Sequence, residues 1–204
     1  MALLPPAGLG GPTGTERCSP DCQTCRHLRA ALLGSLDHHA LSDLTEAAVA
    51  ERAGVSEGAF RDHFGSVADC FLAAYEKISD EVLVRFALAL EWPDHWHDRM
   101  EAAFVSIVDT YASVTGGRSV YIEACMSGDH RVRRHRASVR AWLAGRLHES
   151  HDSDALIEKP DGYFEVLCGA VSLTIQEEFI AGAAVHHVRD RVREAASVFE
   201  PAPA

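Results

Sequence analysis

Between Thr45 and Tyr75 the chain reads TEAAVAERAGVSEGAFRDHFGSVADCFLAAY, and its punctuation leaves little freedom in how it folds. Thr45 stands where a helix N-cap is wanted, ahead of Ala48, Val49, Ala50 and Ala53, and Gly54 follows as a helix-ending residue. Ser56 is placed to cap a second short helix whose Ala59, Phe60 and Phe64 predict an inward face, and Gly65 ends it. Ser66, with Asp69 three residues later, has the form of a capping box opening a long helix. Ala53-Gly54-Val55-Ser56 then becomes the tight turn of a helix-turn-helix, whose second helix offers its N-terminal half to a DNA major groove.

The rest of the chain is read as helical too. Residues 1–25 are expected to be a flexible arm, because proline and glycine dominate Met1–Arg17 and interrupt any helix. Leu28, Leu32 and Leu36 recur at i, i+4 and i+8, with Ala31 on the same stripe, so a helix precedes the motif. Further helices are predicted near Pro93–Val114, Ser119–Met126, Arg131–His151, Asp161–Ala181 and Ala184–Phe199, and no alternating run suggests a strand. The expectation is an all-α protein: a DNA-binding module over 26–76 and a helical effector-binding and dimerisation domain over 77–200. Tyr163–Gly182 is apolar nearly all round, and the last helix carries Val185, Val188, Val192, Ala195 and Phe199 on one face. Two such helices predict a four-helix homodimer interface with a second copy.

Composition bounds the function. Hydrophobic residues make up 47% of the 204, enough for a packed core. No apolar run approaches the roughly 18 residues of a membrane span, and no signal peptide is read at the N-terminus, so a cytoplasmic protein off the membrane is expected. The net charge of −11 is unfavourable for a DNA partner. Residues 26–77 alone hold five cations against eight anions, a net of −3. That balance opposes tight non-specific binding to phosphate.

The motif resembles the TetR family of transcriptional regulators. The resemblance rests on Thr45, Val49-Ala50, Ala53-Gly54-Val55-Ser56, Gly58, Phe60, His63-Phe64 and Ser66-x-x-Asp69-x-x-Leu72. It is specific over residues 28–76 and only architectural over 77–204. It implies that Thr45, Ser56, Glu57, Gly58, Ala59, Arg61 and His63 stand where family members touch operator DNA. Thr45 and His63 would then bond phosphate, while Ala59 meets a thymine methyl and Glu57 a cytosine amino group. Two positions depart from the family's pattern: Arg61 replaces its usual tyrosine and Val67 a frequent phosphate-binding lysine. Asp62 adds repulsion near the DNA backbone.

Cys18, Cys22 and Cys25 crowd into eight residues. Their spacing is that of radical enzymes holding an iron–sulfur cluster, but the βα units such enzymes need are missing. With His27 they make a candidate Cys3His zinc site, or an iron–sulfur site with a borrowed ligand; solvated thiols without a specific role are the alternative. The pairs His95/His97 and His148/His151 are read as exposed histidines at helix ends, and His186 and His187 as polar residues near the dimer helices. The run Arg131, Arg133, Arg134, Arg136 and Arg140 is read as a solvated face answering the surplus of acids. No nucleophile with an ordered base, phosphate loop or paired-carboxylate arrangement is legible, so an enzyme is not expected.

The resemblance further implies a small-molecule effector held in the C-terminal domain, which alters the spacing of two recognition helices over half-sites roughly 34–36 Å apart. Candidate walls are Trp96, Met100, Phe104, Tyr111, Tyr121, Trp142 and Phe164, a lining suited to an apolar or aromatic ligand. The leading expectation is a ligand-released repressor. The second is a metal- or redox-sensing interaction protein that keeps this fold with weak or lost DNA binding.

Overall fold

The computed structural model describes residues 22–92, 95–152 and 159–199. Its regular structure among these residues is entirely helical: α1 (Gln23–Leu36), α2 (Glu46–Ala53), α3 (Glu57–His63), α4 (Val67–Ala89), α5 (Trp96–Ser113), α6 (Gly117–Met126), α7 (His130–Asp152), α8 (Tyr163–Ile180) and α9 (Val185–Phe199), with one 3-10 turn at Leu41–Asp43. The caps fall where the sequence puts them. The backbone N–H of Ala48 donates to Thr45 Oγ1 at 3.2 Å, that of Ala59 to Ser56 Oγ at 3.1 Å, and that of Asp69 to Ser66 Oγ at 3.1 Å. Each bond satisfies one of the N–H groups that a helix start leaves without an internal partner.

Gly54 ends α2 at φ 70°, in the left-handed region. Val55 N–H reaches back to the Ala50 carbonyl at 3.0 Å and Gly54 N–H to that of Glu51 at 3.0 Å, which closes the helix and reverses the chain into α3. Leu28, Leu32, Val49, Phe60 and Phe64 are fully buried where α1, α2 and α3 meet. At about 1.5 Å per residue, the 23 residues of α4 span about 35 Å. They carry the chain from this small module into the larger bundle, where α4 packs on α5 and α7, and α8 on α6, α7 and α9.

Among the described residues, contacts from α1, from α4 and from the turn before α2 tie the module to the bundle. Arg131 on α7 donates to Asp69 Oδ1 at 2.5 Å, at the start of α4. Leu41 N–H donates to Glu123 Oε1 on α6 at 3.1 Å. The closest approach is at Gly116, in the turn between α5 and α6, where a Cβ would lie 2.0 Å from the Leu33 carbonyl oxygen of α1. Gly116 also has φ 71°, so both its conformation and its neighbour require glycine.

Several side chains sit differently from their sequence expectation. The first helix begins at Gln23, inside the stretch read as arm, and Cys25 is fully buried within it. His151 is buried, not solvated, because Trp96 and Phe164 pack around it with ring centroids 5.1 and 5.6 Å away. His97 is half-buried and meets Glu101 at 3.0 Å, whereas His95 and His148 are exposed. The arginine run is not one solvated face: Arg131 turns toward Asp69 and Asp129, and Arg136 toward the interior. A 23-residue helix packed on α4, α6 and α8 has too little free circumference to leave all five outside.

Candidate nucleic-acid interface and effector cavity

Thr45, Ser56, Glu57, Gly58 and Arg61 are exposed, and Ala59 and His63 are half-buried. The structure thus brings the predicted DNA-facing residues together on α2 and α3, with the N-terminal half of α3 open to solvent. Thr45 and Ser56 spend an oxygen lone pair on capping and keep a hydroxyl proton to donate. Arg61 is held by two carboxylates: its Nε donates to Glu46 Oε2 at 2.9 Å and its Nη2 contacts Glu57 Oε1. Its pKa is raised, first by the hydrogen bond to Glu46 and then by the charge of Glu57. A phosphate must compete with both acids for this guanidinium.

His63 departs most from its predicted role. Its Nδ1 lies 3.5 Å from Cys25 Sγ and 3.7 Å from Cys22 Sγ, so that edge of the ring faces α1. Of the predicted metal set, Cys22 and Cys25 come together, Cys18 lies outside the described residues, and His27 is exposed outside the cluster. The histidine brought to the sulfurs is His63, 38 residues beyond Cys25. No local spacing rule reaches that far; the pairing appears only once α1 is laid against α3.

A cavity of about 60 Å³ lies inside the larger bundle. Phe104, Tyr111 and Tyr121, three of the candidate effector walls, line it. Trp96, Met100, Trp142 and Phe164 do not: Met100 is fully buried in the core, Trp142 is half-buried against it, and Trp96 packs with His151 and Phe164. The sequence reading missed Tyr75, Cys125, Arg136 and Arg140 as wall residues. One signal was present, since Val132, His135, Val139 and Leu143 mark an inward stripe on α7 and Arg136 and Arg140 flank it.

The chemistry of this wall is uneven. Tyr121 Oη donates to the Ser172 carbonyl at 3.0 Å and lies 2.9 Å from Ser172 Oγ. Burial raises the pKa of Tyr75, Tyr111 and Tyr121, so all three phenols stay neutral. Burial also pushes the Cys168 thiol up to about 12 and raises that of Cys125. Arg136 Nη1 donates to the Cys125 carbonyl at 2.9 Å. Among the described residues, the lining therefore holds two guanidinium groups, apolar side chains and neutral donors, and no carboxylate.

The fold is shared with TetR-family transcriptional regulators. Fatty acid degradation regulator FadR from Bacillus halodurans superposes with a TM-score of 0.74 at 12% identity, over 89% of this chain and 97% of that one. A protein assigned to the TetR family from Rhodococcus sp. superposes at 0.69 with 16% identity, over 87% and 99%. SmeT, the repressor of the multidrug efflux pump SmeDEF of Stenotrophomonas maltophilia, does so at 0.69 with 14% identity, over 88% and 89%. No family model and no curated relative matches the sequence. Among the described residues, no helix is long and apolar enough to cross a membrane.

Proposed function

We propose that this protein is a DNA-binding transcriptional regulator, working as a homodimer that a small molecule releases from its operator, and so a repressor. The observation that carries this reading is the seating of the α5–α6 turn on α1. Tyr111 of α5 and Tyr121 of α6 line the cavity, and the turn between their helices is the one that presses Gly116 onto Leu33. A ligand that moves either helix acts on α1, and through α1 on the α2–α3 reading head. The cavity of about 60 Å³ is well below the roughly 300–1,000 Å³ of small-molecule sites, so ligand entry has to displace its walls. Binding and movement are then one event, which is what a release mechanism requires.

The lining refines the effector class to an apolar or aromatic molecule bearing an anionic or strongly accepting group that Arg136 and the phenols receive. SmeT is described in complex with triclosan, an aromatic compound, on a fold with a TM-score of 0.64 to this one. For the dimer, Val166, Leu173 and Ile180 of α8 are exposed at i, i+7 and i+14, with Val198 of α9 also exposed. An apolar row at that spacing on one helix face is what a second copy would cover.

The test is a gel-shift titration with DNA from the gene's own upstream region, at two salt concentrations. The reading expects a specific shift that salt weakens, that Arg61→Ala weakens, and that a ligand found by thermal-shift screening reverses. One observation favours the alternative of a metal- or redox-sensing interaction protein with weak DNA binding: Arg61 is occupied by Glu46 and Glu57 in a module of net charge −3. Absence of any shift across the salt series would select it.

A further inference from the structure

We propose that Cys22, Cys25 and His63 bind a zinc-class divalent ion that clamps the start of α1 to the end of the recognition helix α3. Their donor atoms all lie within 4.8 Å of one another. Zinc bonds of about 2.3 Å to sulfur and about 2.0–2.1 Å to nitrogen, set at tetrahedral angles, give a sulfur–nitrogen edge of about 3.5 Å. The two edges here are 3.5 and 3.7 Å. Two sulfurs converge on one imidazole nitrogen, Nδ1 of His63. An ion at the centre would engage both sulfurs and the nitrogen at once.

The surroundings suit a thiolate site. Cys22 is the residue before α1 and Cys25 lies in its first turn, so the helix fixes the two sulfurs three residues apart. Cys25 is fully buried, while Cys22 and His63 are half-buried, so an ion has a path in and little water around it afterwards. His63 is the last residue of α3, and the same imidazole is the one the family resemblance would place on phosphate. Metal binding would therefore fix the far end of the reading helix against α1, the helix on which the α5–α6 turn also rests. Occupancy would set how freely that helix tilts, independently of the effector cavity.

The experiment uses the full chain, stripped of metal with a chelator under reductant and titrated with cobalt(II), then zinc(II). The proposal expects a sulfur-to-cobalt charge-transfer band that saturates at one cobalt per chain and is abolished by zinc. Cys22→Ser and His63→Gln should each weaken cobalt binding at least about tenfold, and His27→Gln should leave it unchanged. Circular dichroism of every variant separates loss of the site from loss of the fold. Exposed histidines bind cobalt without thiolate and give no such band, so they do not confuse the result. No band in the folded parent protein, or equal binding by His63→Gln and the parent, would overturn the proposal. The titration involves no DNA, so its outcome is separate from that of the gel shift.

Discussion

Gly116 is the position where coupling between the small module and the larger bundle can be tested most directly. Replacing it with alanine incurs two separable costs. Alanine in the left-handed region costs roughly 1–2 kcal/mol. The added Cβ would stand 2.0 Å from a backbone oxygen, and real contacts do not fall below 3.0 Å, so α1 and the α5–α6 turn must part by at least 1 Å. Forced overpacking of this kind costs roughly another 1–3 kcal/mol. The sum, about 2–5 kcal/mol, corresponds to a fall in Tm of roughly 4–20 °C for a chain of this size.

Two controls isolate the terms. Gly54 has φ 70°, and among the described residues nothing lies within 4 Å of where its Cβ would stand, so Gly54→Ala carries the conformational cost alone. Gly128 has neither a positive φ nor a close neighbour, and Gly128→Ala should be neutral or slightly stabilising. Thermal unfolding followed by circular dichroism, at matched protein concentration so that any self-association is held constant, gives the ranking. Gly116→Ala should be the most destabilised of the three and should also lose ligand-dependent release from DNA. If its Tm equals that of Gly54→Ala, the close approach to Leu33 carries no energy and the proposed route from cavity to reading head fails.

Arg136→Ala should weaken an apolar carboxylic acid in the cavity by about tenfold or more, since a buried charge-assisted hydrogen bond is lost, while an uncharged apolar ligand is barely affected; isothermal titration with a matched acid and amide pair measures the difference. His135 is buried against Tyr75, and desolvation lowers its pKa below 6.5. The unfolded chain then binds the proton more readily, so this stabilising contribution is intact above about pH 6.5 and is lost as pH falls toward the folded value. Denaturant melts of His135→Leu between neutral and mildly acidic pH should show a flatter dependence than the parent; parallel slopes would refute the assignment.

The local signals in the sequence carried the fold, and long-range pairing was hidden from it. Thr45, Gly54, Ser56 and Ser66 could be read because a cap involves residues three or four apart, a distance over which residue type decides geometry. The cavity was half legible: Phe104, Tyr111 and Tyr121 are large rings on inward faces, but Met100 and Phe164 are large and inward too, and only the packing of helices decides which of them border a void. Arg136 was misread because charge suggested solvent, although its neighbours on α7 set the helix face that turns inward. Cys22, Cys25 and His63 illustrate the limit most clearly. Local spacing points to the exposed His27, whereas α3 delivers a histidine from 38 residues beyond Cys25.

The acidic charge of α2 and α3 sets how strongly DNA binding should depend on salt. Between Thr45 and His63 the cations are Arg52 and Arg61, and Arg52 sets its guanidinium across Gly34, 2.9 Å from where a Cβ would stand. That leaves Arg61 as the cation of this stretch on α3, shared by Glu46 and Glu57. If Arg61 leaves those acids for phosphate on each half-site, a dimer neutralises two phosphates through it, and the slope of log affinity against log salt should carry about −1.8 from this residue. Arg61→Ala should make the slope shallower by about that amount, measured by fluorescence anisotropy across a salt series. Glu46→Gln loosens the hold on the same guanidinium without removing it, so it should raise affinity roughly two- to fivefold at low salt with the slope nearly intact. An unchanged slope in Arg61→Ala would mean that the arginine stays with its carboxylates on DNA, where it would orient Glu57 over the bases.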